Sequence, residues 1–135
     1  MTPTCGSLYI KARDAAIPFA GRDPFLLFGA GFVVGQAEKV YSGACFSAMF
    51  RPEAQYHNGL RDIVRAIVPV YGLMWGMWED EIWLFHKDSY RALSDTLKLE
   101  KNSPDWHRQR AVLCGIRDAD IDVRFHERYG EAGLS

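Results

Sequence analysis

Leu73-Met74-Trp75-Gly76-Met77-Trp78-Glu79-Asp80-Glu81-Ile82-Trp83-Leu84-Phe85 decides the fold. Two apolar, aromatic-rich runs flank three consecutive acidic residues. Residues 70–86 therefore read as the strand region of the chain, with Glu79-Asp80-Glu81 as the turn of a hairpin. Glu-Asp is not the Asn-Gly type that tight hairpins prefer, so the pattern leaves the register open. Side chains alternate along a strand, so Trp75 and Met77 point one way and Met74 and Trp78 the other. Both faces are then apolar. Either the strand is covered on both sides, or one face is an open aromatic and methionine patch for a protein partner or an apolar ligand.

Upstream, Leu60, Ile63, Val64, Ile67 and Val68 recur at helical spacing and predict a helix over 58–68, ended by Pro69. Residues 51–58 read as a loop. Asp23-Pro24 is a cap-then-proline helix start. The apolar face that follows can be drawn through Leu26, Leu27, Ala30, Val33, Val34, Ala37, Val40, Tyr41, Ala44, Cys45, Ala48 and Met49. That would be one helix of about 40 Å. Gly29, Gly31, Gly35 and Gly43 oppose it, because each glycine costs up to about 1 kcal/mol against alanine inside a helix. The competing expectation is a strand over 25–34 followed by a helix over 36–50. Ala30, Ala37 and Ala44 fall every seven residues, and Gly31 with Gly35 makes a small-xxx-small step. Such a line admits a second helix, from this chain or from a second copy. Near the N-terminus, Leu8-Tyr9-Ile10 reads as a short strand and residues 13–22 as a connection.

Downstream, Asp88 or Ser89 caps a helix carrying Tyr90, Leu93 and Leu97, with Leu99 near its end. Ser103-Pro104 starts another helix, which Gly115 ends. Asp118 or Asp120 starts a last one, reaching Gly130. The expected fold is α+β: four or five helices packed on a small antiparallel sheet that includes residues 70–86. Residues 1–135 read as one domain, with 1–6 and 131–135 frayed.

Composition narrows the function classes. Sixteen basic and 17 acidic side chains leave a net charge of −1, so no global field favours nucleic acid. The three cysteines, Cys5, Cys45 and Cys114, are far apart and form no CxxC pair. They read as small buried residues of a protein in a reducing compartment, which predicts a cytoplasmic location. No secretory leader is read at the N-terminus. The most apolar run, Phe25 to Gly35, is shorter than the roughly 20 residues that span a bilayer.

Ala111-xxx-Gly115 followed by Ile116 and Ile121 is similar to the pattern of a helix-turn-helix, over residues 104–129. Arg110 and Arg124 stand where that pattern has apolar residues. The second helix opens Asp118-Ala119-Asp120-Ile121-Asp122, which repels phosphates, so nucleic acid is disfavoured. Gly29-Ala30-Gly31 with Gly35 is not the GxGxxG of a dinucleotide loop. His107 and His126 are the candidate acid-base residues, and Glu79 or Glu81 at the aromatic turn are further ones. His107, Cys114 and His126 form a conceivable metal set, but no HxxxH pair supports it; no metal or cofactor is expected. The leading expectation is a non-enzymatic protein-interaction or regulatory domain that self-associates as a homodimer. Trp75, Trp78, Trp83 and Met77 are its expected recognition residues, and Ala30, Ala37 and Ala44 its expected oligomer seam. The rival expectations are a small enzyme or ligand-binding domain near the aromatic strands, and a DNA-binding helical corner.

Overall fold

The computed structural model describes residues 5–116. Among them are five α-helices and three strands: α1 (Cys5–Ala20), α2 (Pro24–Tyr41), β1 (Ser47–Phe50), α3 (His57–Ile67), β2 (Met74–Trp78), β3 (Glu81–Phe85), α4 (Tyr90–Leu97) and α5 (Pro104–Leu113). The fold is α+β, with helices packed on a small antiparallel sheet; of the 70–86 region expected in it, residues 74–78 and 81–85 are strand, and Val68–Tyr71 is a 3-10 turn.

The aromatic hairpin forms as its pattern requires. Met74 pairs with Phe85 and Trp78 with Glu81, leaving Glu79 and Asp80 as the turn. Glu79 takes a positive φ of 55°, a backbone state that glycine adopts without strain. β1 pairs with the other side of β3, from Ser47↔Phe85 to Phe50↔Ile82. The strand order is β1-β3-β2, which makes β3 the centre.

Every residue of β3 is buried. Ile82 and Leu84 join the larger core, with Ala48, Val33, Val34, Ala37, Ile63, Val64 and Ile67. Trp83 and Phe85 face the other way and pack with Leu93 and Leu113, against Met49, Trp78 and Leu97. The sheet is thus sandwiched, with α1–α3 on one face and α4–α5 on the other.

Asp23 caps α2 through its Oδ1, which accepts from the Phe25 N–H at 2.9 Å, with Pro24 following. The helix runs unbroken through Gly29, Gly31 and Gly35, so the strand alternative for 25–34 is corrected. Gly29 has a packing reason: a Cβ there would lie 2.5 Å from a Leu60 methyl, and one at Gly59 would lie 2.9 Å from Leu26. Each leucine fits over the facing glycine, which brings α2 and α3 close.

The helix expected over 36–50 ends at Tyr41. Ser42 and Gly43 close it, with Gly43 at φ 84°, and residues 47–50 are strand. Periodicity failed here because Ala48 and Phe50 alternate into the core as strand residues while also satisfying the helical spacing. Ala44 therefore lies beyond the helix, off the line of Ala30 and Ala37.

α1 is a second correction. Residues 8–10 are helix rather than strand, residues 13–20 continue it, and residues 5 and 6 belong to it too. Leu8, Ala12, Ala16 and Ala20 are buried at a spacing of four, a narrow stripe that lets α1 lie against α2 and α3. Pro18 lies inside α1, where it removes one backbone hydrogen-bond donor from the last turn. The last expected helix, from Asp118 or Asp120 to Gly130, lies outside the described residues.

α5 ends in a Schellman motif. The Ile116 N–H donates to the Ala111 carbonyl and the Gly115 N–H to the Val112 carbonyl, both at 3.0 Å. Gly115 has φ 76°, and a Cβ there would sit 2.4 Å from the Ala44 carbonyl oxygen. Both backbone conformation and contact demand glycine. Gly115→Ala is expected to cost more than the roughly 1 kcal/mol of αL strain alone, read as a lower urea midpoint; an unchanged midpoint would show that α5 ends otherwise.

Candidate functional site

The expected recognition residues do not form one patch. Trp75 and Met77 are half-buried against the larger core, and the Arg65 guanidinium lies 5.6 Å over the Trp75 ring. Trp78 belongs to the opposite face, 6.0 Å from the Phe85 ring and folded over Gly76, where a Cβ would meet its six-membered ring at 2.7 Å. Trp83 is 0% exposed. Burial on both faces of β3 removes it from any recognition surface. Edge and centre of the sheet produce the same aromatic run in sequence, so the run alone did not separate them.

Trp83 is part of a charged cluster between the sheet and α5. Glu81 begins β3 on the same face and is 4% exposed. Its Oε1 accepts from Arg51 at 2.6 Å and its Oε2 from Arg110 at 2.7 Å. The Arg110 guanidinium stacks 4.0 Å over Trp106 and lies 5.5 Å from the Trp83 ring. Arg110, the residue out of place in an apolar helix pattern, is out of place because it reaches this buried carboxylate. Trp78, Glu79, Glu81, Leu97, Lys101 and Trp106 line a cleft of about 120 Å³ beside it. At its mouth Lys101 pairs with Glu79, and that hydrogen bond and charge hold the Glu79 carboxyl below its ordinary value. Both Glu81 oxygens are engaged by guanidinium groups. The cluster is a clamp joining β1, β3 and α5.

His107 is half-buried on α5, its ring edge-on to Trp106 at 4.6 Å. His126 lies outside the described residues, as do Arg124 and the second helix of the proposed corner at 104–129. The Cys45 thiol donates to the Cys114 carbonyl oxygen at 3.1 Å. Burial pushes the Cys114 thiol above its ordinary value, with the neighbouring Cys45 adding to it. Among the described residues no three His, Cys, Asp or Glu side chains converge as metal ligands. No helix among them is long and apolar enough to cross a membrane.

An exposed apolar feature lies elsewhere, on the outer face of α2, with Phe32 edge-on to Phe50 at its margin. Leu27, Phe28 and Phe32 are exposed there, Phe28 at 74%. Gly31 and Gly35 share this face, and a Cβ at either would meet nothing within 4 Å. Between α2 and α1 the face continues into a groove of about 160 Å³ lined by Tyr9, Arg13, Ile17, Leu27, Ala30 and Gly31, among others. Ala30 reaches the floor of that groove. Ala37 is fully buried in the chain's own core, and Ala44 is off the helix. The exposed face is therefore adjacent to the alanine line, one position along, on the side of the Gly31 and Gly35 step. Its signal was the phenylalanine pair at 28 and 32, in register with Gly31 and Gly35.

No family model, curated protein or solved structure matches the chain.

Glu81→Ala would leave the Arg110 charge buried and unpaired. We expect a loss of about 3–5 kcal/mol by urea denaturation. Lys101→Ala, at the exposed rim, is expected to leave the midpoint near wild type. Equal midpoints for Glu81→Ala and wild type would contradict the clamp. The Cys114 thiol is expected to react slowly with alkylating agents at neutral pH and faster as pH rises through its raised value.

Proposed function

We propose that this domain works by binding a protein partner, itself included, through the outer face of α2 and its groove with α1, and that it performs no chemistry of its own. The observation that carries this is a run of fourteen residues, Pro24 to Ala37, without a charged side chain, on a helix whose outer side is open. An exposed apolar helix face is costly in solubility and serves as a contact surface wherever it is covered in the working protein. The clamp at Glu81 supports the same reading, since its carboxylate is committed to holding the fold. The free thiols of Cys45 and Cys114 fit a cytoplasmic, reducing setting.

The test is Phe28→Ser. With 74% of Phe28 exposed, the substitution should change stability by less than about 1 kcal/mol. The fluorescence gained by an apolar naphthalene-sulfonate dye, titrated at low protein concentration, should fall with it. Dye binding that is unchanged in the variant would mean that this face is not the accessible docking surface.

A further inference from the structure

We infer that the occupant of the α2 face is a second copy of this chain, docked with the two α2 helices antiparallel across a two-fold axis between Gly31 and Phe32. The inference rests on the binding reading above and names its partner. A two-fold interface sets a patch against itself, so the patch must carry both its own projections and its own recesses. This one does. Phe28 projects, Gly35 leaves open space, and both lie on the outer side of α2. Antiparallel pairing about the point between residues 31 and 32 sets Phe28 of each copy beside Gly35 of the other. Gly31, with nothing near its missing Cβ, lets the two backbones approach. The antiparallel sense also opposes the two helix dipoles favourably.

The area fits an ordinary dimer. Tyr9, Ile17, Leu27, Phe28 and Phe32 are between 42% and 74% exposed. At about 200 Å² for a large side chain they offer roughly 500 Å² of apolar surface. A dimer of standard size buries about 800 Å² per partner, of which about 65% is apolar in homodimers, or roughly 520 Å². A membrane surface fits less well. Helices that lie in lipid headgroups carry lysine and arginine along their flanks, whereas α2 has the single Lys39 and no arginine, and Arg13 on the α1 side of the groove is paired with Asp14.

Sedimentation velocity from about 1 to 100 µM, on the full chain, tests this, since interfaces of this size reach micromolar affinity or better. The wild type should shift to the mass of a dimer within that range. The double variant Gly31→Gln, Gly35→Gln fills both recesses with a good helix former. Compared at dilutions where both are monomers, it should melt no lower than wild type, yet it should dimerise about 100-fold more weakly. Phe28→Ser should weaken dimerisation as well. A wild type that stays monomeric throughout, or a double variant that dimerises like wild type, overturns the inference. A monomer whose dye signal is nonetheless lost in Phe28→Ser would leave the binding face standing and remove only the second copy. Flotation of the wild type with phosphatidylcholine vesicles, lost in Phe28→Ser, would overturn it in favour of lipid.

Discussion

A five-residue strand buried on both faces sets the terms for the rest of this molecule. β3 places Ile82 and Leu84 on one side of the sheet and Trp83 and Phe85 on the other, and none of the four can be left in water. At about 25 cal/mol per Å², exposing either face would cost several kcal/mol. Two helical layers follow from that constraint. α1–α3 cover one side and α4–α5 the other, with β1 and β2 occupying both hydrogen-bonding edges of β3.

The smaller layer adds placed polar bonds to its apolar packing of Trp83, Phe85, Leu93 and Leu113. α5 is fixed at its start by Ser103, whose Oγ accepts from the Trp106 N–H, and in its middle by Arg110 on Glu81. At its end the Leu113 carbonyl accepts from the Phe46 N–H and the Ser47 hydroxyl. These bonds explain why a carboxylate opens the most buried strand. Glu81 stands at the end of the hairpin turn in sequence, but the turn folds towards Arg51 and Arg110 rather than into solvent. A turn charge is ordinarily solvated; here two guanidinium groups replace the water.

Much of this was readable from residues. Asp23-Pro24, Ser103-Pro104, Gly115 and the spacing of Leu60, Ile63, Val64 and Ile67 each marked an element correctly, because caps and amphipathic periods are local physics. Three features were not local. α1 is covered by two helices through a stripe of alanines, so its apolar signal is weak and Pro18 dominated the reading. β1 is too short to show alternation against the helical spacing that precedes it. The tryptophans could not be sorted into core and surface without knowing that β3 is central, a fact set by pairing with the distant β1. Gly31 and Gly35 read both as costs inside a helix and as a small-residue step that admits a second helix; the structure leaves both open on the outer side of α2.

The molecule thus separates two apolar features. Trp83 and Trp106 are buried in the interior, and Phe28 and Phe32 are exposed on α2. Hydroxyl-radical footprinting of the wild type, read residue by residue over a concentration series, tests that division most directly. The account predicts that Phe28 labels readily in dilute protein and becomes protected as concentration rises, while Trp83 stays protected throughout. Labelling of Trp83 as fast as that of Phe28, or labelling of Phe28 that never changes with concentration, would contradict it.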